Sequence, residues 1–325
     1  MRNMTFALLA AVCALCLAVS FAPAENSGYF DVEAVLNKES IIVGEPLFII
    51  FKVTNKTPRE QEFRTRLSPH GDIRVVITHP ERLPLDYKAH FPTSFAPYYV
   101  FKIPPGRTER FYFTLLYEEQ ASGGILFDRP GEFVIQTSMS GMIQNQTEQY
   151  RFGPFKVVVT APEADDARAL ELLGRKELIL GIHKGFCAPS DRPALDQILQ
   201  RFPRSTYAPY ILNAIAGGIL TEGKDDPEAI REAIGLYTRY VKEYPGTVFE
   251  DDAVYKVGQC HDMLGEGDEA RRWFIRLFNN YPDSNRLNYS DYLIKKYILI
   301  TPKPHPYNQW MLFDGPNDPE PEVIE

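Results

Sequence analysis

His183-Lys184-Gly185-Phe186-Cys187 sets a histidine close to a cysteine, the residue types of a thiolate nucleophile and its base. Such pairs normally come from distant parts of a chain, so the segment is read as a loop between helices. Paired carboxylates occur at Asp225-Asp226 and Asp251-Asp252. Both pairs fall at helix starts, where negative charge offsets the helix dipole, and both are read as caps. The six histidines, at 70, 79, 90, 183, 261 and 305, lack the spacing of metal ligands. A glycine-rich phosphate loop, His-Glu-x-x-His, Cys-x-x-Cys and Gly-x-Ser-x-Gly are all missing. The sequence therefore predicts no catalytic residue, no metal site and no cofactor, and the expectation is a protein that is not an enzyme.

What the chain offers in place of a catalytic constellation is a recurring motif. Phe202-Pro203-Arg204-Ser205, Tyr244-Pro245-Gly246-Thr247 and Tyr281-Pro282-Asp283-Ser284 follow one another at spacings of 42 and 37 residues. Each closes a helical pattern, and a period of this length means stacked helix pairs that bury a core only against their neighbours. Asp226-Pro227-Glu228 supplies a cap, a first-turn proline and a first-turn acid. Ile230, Ala233, Ile234, Tyr237, Tyr240, Val241 and Tyr244 then share one face. Phe249 to Leu264 forms the next helix, stopped at Gly265-Glu266-Gly267, and Asp268 begins another through Phe278.

Val254 to Pro282 resembles the tetratricopeptide repeat without a gap. Val257-Gly258 stands for the Leu-Gly pair, His261 for the first-helix aromatic and Ala270 for the small residue of the second helix. Phe274 fills the later aromatic position and Pro282 the closing proline, while Val254 replaces the usual tryptophan. Three extra residues between Pro245 and Gly258 make this form similar to the repeats of bacterial outer-membrane assembly lipoproteins and of the periplasmic Tol–Pal coordinator. That resemblance covers Asp191 to Ser284 and implies a scaffold for envelope protein complexes. The concave face of such an array is lined by first-helix residues, here Tyr210, Asn213, Tyr255, Lys256, Gln259 and Asp262. This polar and aromatic mix suits an extended or helical peptide.

Ahead of the helices, from Tyr29 to Thr160, the apolar period is two. Strands are expected at Phe30–Val35, Phe48–Val53, Ile73–Thr78, Tyr98–Ile103, Glu109–Leu116, Glu132–Ser138 and Tyr150–Thr160. Turn signals separate them, among them Pro104-Pro105-Gly106 and Arg129-Pro130-Gly131. Some seven short strands without helical period indicate an antiparallel β-sandwich. Val43-Gly44-Glu45-Pro46 with the following strand, and Asp128-Arg129-Pro130-Gly131-Glu132-Phe133, resemble bacterial immunoglobulin-like envelope modules. The expected fold is thus a multidomain β plus α chain, an immunoglobulin-like sandwich followed by a tetratricopeptide-like helical solenoid. Tyr87 to Tyr99 concentrates aromatics around two prolines. It is read as a crossover pinned to the core, with an aromatic surface for sugar rings or a Pro-rich ligand as the alternative.

The ends and the charge bound the setting. Arg2, an apolar stretch from Phe6 to Ala22 and the small residues of Ala22-Pro23-Ala24 read as a cleaved secretory signal peptide over 1–24. The sandwich is then expected over 25–160, the repeats over 161–301 and a Pro- and acid-rich, disordered tail over 302–325. No other segment is long and apolar enough to span a bilayer. The formal net charge is −8, which argues against nucleic acid or an anionic membrane as partner. Beyond the leader only Cys187 and Cys260 remain, as a possible disulfide or as buried thiols.

The expected function is an exported, periplasmic or secreted scaffold that holds a protein or peptide partner in the cell envelope through its repeats. A carbohydrate-binding or adhesion module acting through the sandwich is the alternative. An inhibitor acting through the Glu118–Phe127 loop is the third reading.

Overall fold

The computed structural model describes residues 28–66, 71–79, 81–88, 99–287 and 292–298. The leader, the tail from Pro302 and most of the 87–99 stretch lie outside them, so only Tyr87, Lys88 and Tyr99 of that stretch are placed. Tyr87 is fully buried, and its hydroxyl donates to the Tyr117 carbonyl at 3.0 Å. Tyr99 is 48% exposed and stacks on Phe101.

Among the described residues ten strands precede the helices: β1 (Phe30–Leu36), β2 (Ser40–Ile42), β3 (Leu47–Asn55), β4 (Gln61–Thr65), β5 (Ile73–Thr78), β6 (Leu85–Tyr87), β7 (Tyr99–Ile103), β8 (Thr108–Leu115), β9 (Gly131–Ile143) and β10 (Gln146–Thr160). One sheet has the order β1-β3-β8. The other runs β2-β10-β9-β4-β7, with β5 paired to β9 and β6 to β5. Every pair is antiparallel except β2 with β10, which corrects the expectation of a wholly antiparallel sheet. β2, β4 and β6 are strands that hydrophobic alternation misses, because each is short and β4 buries only Phe63 and Thr65. Side chains from both sheets meet in one core, with Phe51 and Phe111 from the first and Phe63, Ile135 and Val157 from the second.

Eight helices follow among the described residues: α1 (Ala164–Leu172), α2 (Lys176–Lys184), α3 (Arg192–Arg201), α4 (Ala208–Glu222), α5 (Pro227–Glu243), α6 (Glu250–Met263), α7 (Gly267–Asn280) and α8 (Tyr292–Tyr297). From α3 to α8 each helix packs on the next. Asp226 caps α5 as its type demands, accepting from the Glu228 N–H at 3.0 Å. Gly258 of α6 faces Phe274 of α7, where an added Cβ would come within 3.0 Å of the ring. That contact is why the position takes a small residue. None of these helices is long and apolar enough to cross a membrane.

The apolar core of the helices does not end with the helices. It takes in Phe48, Leu116, Tyr117 and Ile125 from the strand region. β3 shows why: Leu47 and Ile49 point into the sheet core while Phe48 between them points out, and all three are fully buried. A strand buried on both faces at this point needs a cover, and the helices provide it.

Candidate functional site

The seam between strands and helices is built from the outward side chains of β3 and β8 and the first turns of α4 and α6. In β8 the alternation sends Glu109, Phe111, Phe113 and Leu115 inward and turns Arg110, Tyr112 and Thr114 toward the helices. Phe48 forms the apolar centre. Its ring stacks on Tyr210 with centroids 6.0 Å apart and meets Phe249 edge-on at 5.1 Å. On one side of this centre, Tyr112 donates to Asp251 at 3.4 Å and the Arg110 guanidinium lies 3.7 Å from the same carboxylate. Arg110 also donates to the Asp283 carbonyl at 3.1 Å and Arg107 to the Pro282 carbonyl at 2.7 Å. The repeat-closing segment that the sequence singled out is thereby tied to the sheet. At the other end Tyr207 donates to the Val43 carbonyl at 2.6 Å, and Lys176 donates to the Glu119 carbonyl at 2.7 Å.

These contacts revise two readings. Asp251 lies in the first turn of α6, as a helix-start acid should, but it is also buried in the seam, and burial holds its carboxyl above the ordinary range against the pull of Ser284 and Arg110. The 118–127 loop, read as an inhibitor contact, ends in buried Ile125, Leu126 and Phe127 and lies against α2.

Glu109 sits inside the sheet core near the same seam, and its Oε2 has no hydrogen-bond partner. Burial pushes its carboxyl up to about 8, with Arg107 opposing and Asp283 adding to the shift. The folded state thus holds a proton that the unfolded chain releases above its ordinary 4.5, and stability falls as pH rises from about 4.5 to about 8. Glu109→Gln is expected to flatten that slope and to stabilise the protein at neutral pH by up to about 3 kcal/mol. Urea unfolding across this pH range checks it, and parallel slopes for both proteins would refute the assignment.

Two cavities flank the aromatic centre. One, of about 610 Å³, is walled by Tyr112, Tyr210, Tyr244 and Tyr281. The other, of about 570 Å³, opens between α2, α4 and α6 and is lined by Asn213, Lys256 and Gln259. The six residues expected on the concave face therefore separate. Asn213, Lys256 and Gln259 come together in the second cavity, where Lys256 donates to Gln259 at 3.1 Å. Tyr210 is buried under Phe48 and borders the first. Tyr255 is buried against Phe274 with Arg286 over its ring, and Asp262 accepts from Lys296 and Tyr297 of α8, both at 2.6 Å. The chain's own sheet and last helix thus occupy part of the face that the sequence assigned to a partner.

Lys184, Lys224 and Arg286 also line the second cavity, and repeat logic did not find them. Lys184 ends α2, Lys224 lies in the loop between α4 and α5, and Arg286 lies beyond the repeat, so no periodicity marks them. Arg286 pairs with Asp252. His183 is buried with its ring 6.4 Å from Tyr117, and burial pushes the Cys187 thiol up, the reverse of nucleophile activation. Cys187 and Cys260 are free, buried thiols.

A family match falls in the helical half. Residues 252–284 match the tetratricopeptide repeat family. A stretch of 118 residues is 26% identical to the outer membrane protein assembly factor BamD of Rickettsia prowazekii, covering 33% of this chain and 46% of the relative. The chain thus spans less than half the length of that protein. Among solved structures, the sporulation control protein Spo0M of Bacillus subtilis is 18% identical over 45% of this chain and 55% of its own, with a TM-score of 0.25. A β-glucosidase of Listeria innocua is 13% identical over 42% of this chain and 17% of its own, with a TM-score of 0.24. Scores this low carry no weight for fold or function. The C-terminal half contains a tetratricopeptide repeat, and part of the chain is similar in sequence to an outer-membrane assembly factor.

Proposed function

We propose that this chain is a non-catalytic scaffold, exported to the cell envelope, that holds a protein partner on its helical repeats. The observation that carries the reading is the tetratricopeptide repeat at 252–284, whose first helix supplies Lys256 and Gln259 to an open cavity. Similarity to an outer-membrane assembly factor supports the envelope setting. In this reading α3 to α7 form a short solenoid. The two sheets sharing one core, with orders β1-β3-β8 and β2-β10-β9-β4, form an immunoglobulin-like sandwich that braces it. Because Phe48 and Arg110 fill the seam, the partner's place is the cavity at Asn213, Lys256 and Gln259, not the whole concave face.

The test is site-specific photo-crosslinking in the producing cell. A photoreactive residue at Lys256 or Gln259 is expected to trap one and the same envelope protein, and one at half-buried Arg239 of α5, outside the cavity, is not. Equal trapping from all three positions, or from Arg239 alone, would remove the cavity as the partner site. Fractionation of the same cells should place the chain outside the cytoplasm.

A further inference from the structure

The cavity at Asn213, Lys256 and Gln259 has a second character. Lys184, Lys224, Lys256 and Arg286 line it against a single acid, Asp252, which already pairs with Arg286. This excess of positive charge lies in a chain whose formal net charge is −8. Two of the large apolar side chains that the protein exposes also border it: Phe186, 43% exposed, and Met263, 39% exposed. A ligand matched to these walls carries apolar side chains beside a run of carboxylates.

The chain itself contains such a segment. Trp310-Met311-Leu312-Phe313 is apolar, and from Asp314 to Glu325 there are five acids and no lysine or arginine. We infer that Trp310–Glu325 docks in this cavity in the same molecule, with the Trp310–Phe313 side chains against Phe186 and Met263 and the carboxylates toward Lys184, Lys224 and Lys256. Reach favours it. Tyr297 and Lys296 anchor α8 to Asp262, the neighbour of Met263 in the cavity wall. From Ile298 the dozen residues to Trp310 span up to about 40 Å when extended. The tether also gives the segment a high effective concentration at the site, so modest contacts suffice to hold it. A partner entering the cavity then has to displace this segment. That consequence rests on the partner reading above, whereas the docking does not.

Trp310 is a ready reporter, because the chain has only two tryptophans and Trp273→Phe leaves it alone. Acrylamide quenching of Trp310 in the full-length Trp273→Phe protein is expected to be severalfold weaker than in urea. It should rise toward the urea value when Lys184→Glu and Lys256→Glu are added. Both lysine side chains reach solvent, and circular dichroism verifies that the fold persists. Quenching equal to that of the unfolded chain, or no response to the charge reversals, would overturn the proposal. Carbodiimide coupling in a mixture of isotopically light and heavy protein reads the occupant. Lysine–glutamate links to residues 314–325 should be light–light and heavy–heavy only. Mixed links would show a second copy's segment in the cavity and refute docking within one molecule. Since neither measurement uses a partner, their failure is separable from failure of the partner reading.

Discussion

Phe48→Ala loosens the strand half from the helical half and costs about 3–5 kcal/mol of stability, the usual range for removing a fully buried phenylalanine. Phe48 is 0% exposed, yet it belongs to no strand-strand core: it stands on the outer face of β3 with Tyr210 and Phe249 around it. Truncation leaves the two helical rings facing a void that neither rigid half collapses to fill. Arg110 and Tyr112 then hold the seam through Asp251, and their bonds become open to water competition. In denaturant unfolding followed by helical circular dichroism, the midpoint should fall and the transition should broaden or split. Phe48→Leu should retain much of the stability, and Val158→Ala on an exposed strand position should stay within about 0.5 kcal/mol of the parent. A Phe48→Ala protein with the parent's midpoint would mean that the seam contributes nothing to holding the halves together.

The second large effect has a sign that helix propensity gets wrong. Gly217 lies inside α4, where alanine is favoured over glycine by about 0.8–1.0 kcal/mol on propensity alone. A Cβ at 217, however, would sit 2.1 Å from the Gly185 carbonyl oxygen, and one at 218 would sit 2.4 Å from that of Cys187. Both obstacles are backbone, and the loop is held there by the Cys187 N–H donating to the Ala214 carbonyl at 2.9 Å. Gly217→Ala is therefore expected to lower stability by about 1–3 kcal/mol net, the range for overpacking a tight site. It should also displace Phe186 at the wall of the cationic cavity. Gly235→Ala on α5 is the control, because nothing lies within 4 Å of its added Cβ. There the propensity gain of about 0.5–1 kcal/mol should appear in full. Thermal unfolding of the two variants side by side decides it: equal stabilisation of both would show that the loop yields without cost.

The glycine pair and Phe48 show what one-dimensional pattern can and cannot carry. Period two over 29–160 and period near 3.6 over 164–280 marked the strand and helix regions, because solvent exposure alternates locally with backbone geometry. The closing prolines and the small residue at Gly258 marked the repeat, since each answers a requirement within about 30 residues of itself. Short strands such as β4 and β6 escaped, because they are held by pairing with distant strands and bury too few side chains to alternate visibly. Asp251 was legible as an acid at a helix start, but its buried contact with Arg110 and Tyr112 needed the sheet beside it.

The sequence by itself determined the two halves, their periods, the repeat and the absence of recognisable catalytic motifs, because those follow from neighbours along the chain. Only the tertiary structure decided which surfaces remain free. Tyr210 was as good a partner residue as Gln259 until Phe48, 162 positions earlier, was seen stacked on it. The cationic cavity likewise gathers Lys184, Lys224, Lys256 and Arg286 from four separate places in the chain. Burial and local potential at a site sum over everything folded around it, and no window along a sequence contains that sum.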